Sequence, residues 1–285
     1  MTHPYRAWVE DLDRLSAQGR SLPLGGFPDT AHPERRKGAP RVLLFSPHPD
    51  DECITGALPL RLLRERGADV VNVAVTQGSL KERQAARWDE MEAACRFLGF
   101  DVLPTMPNGL EQINPRAREG DSARWAQSVH VIADILVRER PKIVFLPHAT
   151  DWNATHIGTH LLVVDALATL GPDVDVLAVE TEFWAPMLDP NLMIESSLDD
   201  VADLVAAVSF HAGEVARNPY HLSLPAWMQD NVRRGGEVVG GQGAAAPDYR
   251  FATLYRLRRW AAGGWQEVLQ HGRMVGKSDS LDWLA

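Results

Sequence analysis

Arg41-Val-Leu-Leu-Phe-Ser46 is an apolar run that passes straight into Pro47-His48-Pro49-Asp50-Asp51-Glu52. A short run of this kind reads as a strand buried on both faces, the type found in parallel sheets. Working outward, Glu52 to Gly67 reads as a helix with a basic last turn and Gly67 as its C-cap. Strands and helices then alternate. Asp69 to Thr76 is a strand, Leu80 to Leu98 a helix closed by Gly99, and Asp101 to Leu103 a short strand. Ser122 to Arg140 is a helix stopped by Pro141, followed by strand Lys142 to Pro147, helix Ala154 to Leu170 and strand Val174 to Phe183. This alternation predicts an α/β fold with a Rossmann-like, mainly parallel sheet flanked by helices. Its ligand site belongs at the carboxyl ends of the strands.

Around that core, Tyr5 to Leu15 predicts a short amphipathic helix, and Ser21 to Pro40 a connector with four prolines. Residues 1–40 are therefore set apart from a single domain over 41–285. That domain turns irregular from about residue 190, with a helix near Leu198 to His211, a Gly/Ala-rich loop over Gly235 to Pro247 and a strand-like Arg250 to Leu257. Hydrophobic residues make up 45% of the 285 and charged residues 24%, an ordinary globular balance. The formal charge of −9 argues against a nucleic-acid or anionic-membrane partner, both of which call for a concentrated basic surface. Two cysteines, Cys53 and Cys95, are too few for a disulfide framework and read as reduced core residues. Met1 to Leu15 has no continuous signal-peptide core. The most apolar long segment, near Ile157 to Val179, is broken by Asp165, Asp173 and Asp175. The expectation is a cytoplasmic protein without a membrane span.

The first strand delivers one imidazole and three carboxylates within five residues at the start of a helix. Capping by Asp50 or Asp51 would account for one acid only. One of two adjacent carboxylates can bind a metal while the other faces the metal's water. The fourth strand leads a second polar cluster to the same rim: His148, Asp151, Asn153, His156 and His160. His156 and His160, four apart, share one helix face. A zincin would need Glu where Ile157 stands, so that reading fails.

Pro-His-Pro-Asp-Asp-Glu after a hydrophobic strand resembles the signature of the LmbE/PIG-L family of zinc-dependent de-N-acetylases. Thr76-x-Gly78, Arg87-x-x-Glu90 and Leu98-Gly99 are similar to the family's second strand and following helix, and the resemblance covers roughly Arg41 to Leu170. It implies that His48, Asp51 and His156 hold zinc, with Asp50 as general base, and that the chain removes acetyl from an N-acetylglucosamine-type sugar conjugate. Asn153 stands where the family's second motif opens with His. His160 and His148 are the imidazoles available to replace it, and Asn153, His160 and Asp50 are the expected catalytic residues. Arg87 and Asn108, the latter where the family has a sugar-binding Asp, are the expected substrate contacts.

Two alternatives accompany this reading: cleavage of another amide such as a thiol conjugate, and metal or sugar binding without catalysis. The sequence leaves open whether iron replaces zinc in the cell and whether the chain forms a homo-oligomer. Gly241-x-Gly243-x-x-Ala246 formally matches a dinucleotide fingerprint but opens no helix and runs into Pro247. It is expected instead to be a loop over the pocket. Trp152 and Trp184 lie near strand ends, and core packing is expected of each.

Overall fold

The computed structural model describes residues 3–32, 34–36 and 38–284. Among these, nine strands form one sheet. β1 (Arg41–Ser46), β2 (Asp69–Ala74), β3 (Asp101–Pro104), β4 (Ile143–Pro147) and β5 (Val176–Thr181) run parallel in the order β3-β2-β1-β4-β5. The irregular last third extends the same sheet. β7 (Ala252–Ala261) pairs antiparallel with β5 and with β6 (Leu192–Glu195). β8 (Gly264–Glu267) folds back on β7, and β9 (Arg273–Val275) runs parallel to β6.

Both faces of the sheet are covered, as the apolar runs require. In β1, Val42 and Leu44 point to one core layer while Leu43 and Phe45 point to the other. This is the period-2 alternation of a strand buried on both sides. The first layer carries α3 (Ala57–Arg66), α4 (Gln84–Leu98) and α8 (Leu198–Ser209); the second carries α6 (Ser122–Glu139) and α7 (Ala154–Thr169). The chain leaves β1 toward β2 on one side and returns from β3 to β4 on the other. The carboxyl ends of β1 and β4 thus flank the point where strand order reverses, the crevice in which such sheets bind ligands.

Two predicted elements differ. The helix expected over Glu52 to Gly67 is broken into a single turn, Asp51–Ile54, and α3. Gly56 between them has φ +95°, and a Cβ there would lie 2.4 Å from both Thr253 Oγ1 and Tyr255 OH, so β7 occupies the space a continuous helix would fill. The loop expected over Gly235 to Pro247 begins as helix, since Leu224–Gly240 is helical throughout. Gly235 and Gly236 sit directly on Met193 and on the Ala245–Ala246 backbone, where a side chain has no room. The segment packs beside β6 and does not cover the site. No helix among the described residues is long and apolar enough to cross a membrane.

Candidate metal centre

Three potential ligand atoms meet where β1 and β4 end. His48 Nδ1 and His156 Nε2 lie 3.2 Å apart, and Asp51 Oδ2 is 3.4 Å from the first and 3.3 Å from the second. Tetrahedral zinc bonds of about 2.0–2.1 Å set donor atoms roughly 3.3–3.4 Å apart, so the spacing fits one small divalent ion. Two imidazoles and one carboxylate are also the donor set of a catalytic site that keeps a position open. The electrostatics agree. Burial works against charge on His156, yet Asp51 and Asp151 raise its pKa to about 10. A field that holds a proton on a buried imidazole also favours a cation. Asp151 Oδ2 lies 3.6 Å from His156 Nδ1, the carboxylate backing that orients a ligating histidine.

The turn that presents these atoms is unusual at one residue. Asp50 has φ +116°, a conformation few L-residues adopt, and its side chain caps no helix. The turn is held from both sides. Asp51 Oδ2 accepts the His48 N–H at 2.8 Å, and Glu52 Oε2 accepts the Asp50 N–H at 2.9 Å. The other oxygen of Glu52 accepts from His211 Nε2 at 2.8 Å, a pair with no exposure on either side chain. Cys53 Sγ–H lies against the same carboxylate oxygen at 3.4 Å. Both cysteines are buried and free, and burial pushes their thiol pKa values up.

Asp50 itself is not in the ligand cluster. Tyr220 O–H donates to its Oδ2 at 2.6 Å, and Arg87 Nη2 stands 3.9 Å from its Oδ1. Burial and the neighbouring Asp51 push its pKa up to about 6, against the opposing pull of His211, Tyr220 and Arg87. Arg87 donates to Pro49 O at 2.8 Å and faces Glu214 at 3.8 Å. Its helix neighbour Glu90 accepts from Gly213 N instead, at 3.1 Å. Gly78, at φ +80°, clears the way, since a Cβ there would stand 2.5 Å from Arg87 Nη1.

Asn153 lines the same cavity as Asp50 and His48. Its Oδ1 caps α7 by accepting the Thr155 N–H at 2.8 Å, which leaves the amide nitrogen as its remaining polar end. The other expected residues lie apart. His160 Nδ1–H donates to Pro147 O at 2.9 Å beside Glu180, and burial lowers its pKa to about 4. His148 donates to Ala185 O at 2.9 Å. Neither imidazole belongs to the His48–Asp51–His156 cluster. Asn108 is exposed in the turn before Gly109, while Leu110 to Asn114 line the cavity beside His48. The tryptophans depart from the expectation of core packing. Trp152 is 78% exposed, and Trp184, 38% exposed, stacks edge-on against Tyr220 with ring centres 5.7 Å apart. Tyr220, His211 and Glu214 were not singled out by the sequence. They lie more than 150 residues from the motif, and no local spacing links them to it.

The chain is similar to proteins already known. Residues 43–167 match the family model described as PIG-L, GlcNAc-PI de-N-acetylase. That stretch is similar to a PIG-L family domain. The match runs from β1 to the last turns of α7 and so includes His48, Asp50, Asp51 and His156. The chain is similar to a 1D-myo-inositol 2-acetamido-2-deoxy-alpha-D-glucopyranoside deacetylase of Mycolicibacterium gilvum, 24% identical over 283 residues, with 82% of this chain and 98% of the relative covered. Among solved structures it resembles the N,N'-diacetylchitobiose deacetylase of Pyrococcus horikoshii at TM-score 0.57 and 17% identity, over 92% of this chain and 94% of that one. It also resembles the 4-carboxy-2-hydroxymuconate hydratase of Pseudomonas putida at TM-score 0.55 and 17% identity, over 76% and 95%. At these identities the structural likeness speaks for the fold alone.

Proposed function

We propose that the chain is a metal-dependent hydrolase that removes acetyl from an N-acetylglucosamine-type sugar conjugate. One observation carries the reading: His48, Asp51 and His156 bring three donor atoms to the spacing one small ion requires, while a second carboxylate, Asp50, stands beside them outside the cluster. A binding cage alone has no use for Asp50. The family match and the deacetylase relative supply the chemistry, amide cleavage on an acetylated amino sugar.

His48, Asp51 and His156 would hold the ion, with zinc the metal best suited to the donor set. When bound, such an ion acidifies a water and polarises the amide carbonyl. The chain's own residues do the rest. Tyr220 holds Oδ2 of Asp50, so Oδ1 is the oxygen free to take a proton from the attacking water. As the C–O bond forms and the C–N bond breaks, Asp50 returns that proton to the departing amine. The Asn153 amide nitrogen is positioned to donate to the carbonyl oxygen as charge develops there, work that needs a donor rather than a titrating imidazole. Arg87 keeps the Asp50 turn in place through Pro49 O. A cytoplasmic setting fits the two free, buried cysteines.

The test is acetate release from N-acetylglucosamine conjugates, free and inositol-linked, by protein loaded with zinc or ferrous iron. Stoichiometric acetate and free amine are expected. Absence of release from every conjugate with either metal would overturn the reading.

A further inference from the structure

Three cavities adjoin in series at the carboxyl rim. The first, about 300 Å³, is polar and lined by His48, Lys81, Gln84, Glu111 and Asn114 among others. The second, about 240 Å³, holds Asp50, Arg87 and Asn153 and shares His48 with the first. The third, about 450 Å³, is walled mainly by Phe183, Trp184, Pro186, Leu224 and Trp227, with Asp230 and Arg234 also on its lining, and shares Trp184 and Tyr220 with the second. Its inner wall is the back of the metal centre. The Phe183 ring packs edge-on against His156 with centres 5.1 Å apart, Tyr220 O–H donates to Asp50, and Trp184 N–H donates to Asp151 Oδ2 at 3.1 Å.

We propose that this third cavity binds the acyl side of the substrate, and that the acyl group it selects is a hydrocarbon chain longer than acetyl. The inference rests on the amide-hydrolase reading and deepens it. A scissile amide has a sugar on its nitrogen and a hydrocarbon on its carbonyl carbon. With the amide at Asp50 and His48, the hydroxyl-rich sugar matches the polar cavity on one side. The acyl carbons then leave toward the most apolar cavity of the series. A methyl group uses little of that space, and apolar cavities take hydrocarbon in preference to water. Each methylene buried there is worth about fourfold in binding.

The experiment uses the metal-loaded full chain and methyl glucosaminides carrying N-acetyl, N-butanoyl or N-hexanoyl groups, with free amine as readout. A fourth substrate, hexyl N-acetylglucosaminide, places the same chain on the sugar instead. Catalytic efficiency is expected to rise about tenfold or more from acetyl to hexanoyl, with the hexyl glycoside no better than the methyl one. Trp227→Glu, which places a carboxylate in the apolar wall, and Ser223→Trp, which fills the cavity from its exposed rim, should each abolish the hexanoyl preference while acetyl cleavage stays near wild type. Equal or slower hexanoyl cleavage overturns the inference and leaves the deacetylase reading standing. So does a preference that survives in whichever of the two variants folds, or a gain confined to the hexyl glycoside. Cleavage of no amide at all overturns both.

Discussion

In the proposed reaction Asp50 moves the proton, and its backbone sits at a positive φ. A non-glycine residue at φ +116° costs about 1–3 kcal/mol unless its surroundings hold it there. Glu52 does so by accepting the Asp50 N–H, and His211 fixes Glu52 from the loop between α8 and the next helix. Removing one member of a buried ion pair leaves the other uncompensated, typically at about 3–5 kcal/mol. His211→Leu should therefore lower unfolding free energy by that order in urea titrations, and an effect below about 1 kcal/mol would show that the pair does not bear on the fold. Tyr220→Phe is milder. It removes one hydrogen bond to a charged oxygen, about 1.5–3 kcal/mol, and should lower turnover roughly 10- to 100-fold with metal content unchanged. At this scale the sequence was most legible where residues are adjacent. His48, Asp50 and Asp51 announce themselves by type, order and placement after a strand. Tyr220 and His211 reach the same turn through tertiary packing, so nothing in their own neighbourhoods marks them.

Elements show the same division. Parallel strands were readable because burial on both faces leaves an unbroken apolar run, as in β1 and β4. The break at Gly56 was not, because its cause is β7, two hundred residues away. Gly56→Ala would force a side chain against Thr253 and Tyr255 at a positive φ, and it should destabilise the fold by several kcal/mol in the same titration. α7 offers a pH test. His160 lies on it, buried against Pro147 O and Glu180, with Arg258, His148 and Asp165 the other charged or titratable groups around it. Its folded pKa, about 4, lies below the ordinary 6.5 of the unfolded chain. The unfolded state therefore binds the proton first. Stability is fully present above about pH 6.5 and falls by about 1.4 kcal/mol per unit as pH drops toward 4. His160→Gln should flatten the stability-against-pH curve over that window relative to wild type. Identical slopes for the two proteins would place the His160 proton elsewhere.

For the whole molecule, the strand order β3-β2-β1-β4-β5 puts its crevice at the ends of β1 and β4, and the two polar clusters read from the sequence sit at those ends. The last third was less legible. Its strands join the sheet antiparallel beyond β5, and the residues it sends to the site, Tyr220 and Glu214, come from short helical segments without a period to read. In the proposed reaction two adjacent acids divide the labour, Asp51 holding a metal and Asp50 moving a proton. The most direct test measures bound divalent metal per chain and acetate release together, in wild type, Asp50→Asn and Asp51→Asn. The structure predicts about one ion per chain in wild type, retained in Asp50→Asn while turnover falls roughly 10²–10⁴-fold, and lost or greatly weakened in Asp51→Asn. Equal metal loss in both variants, or full turnover without Asp50, would contradict it.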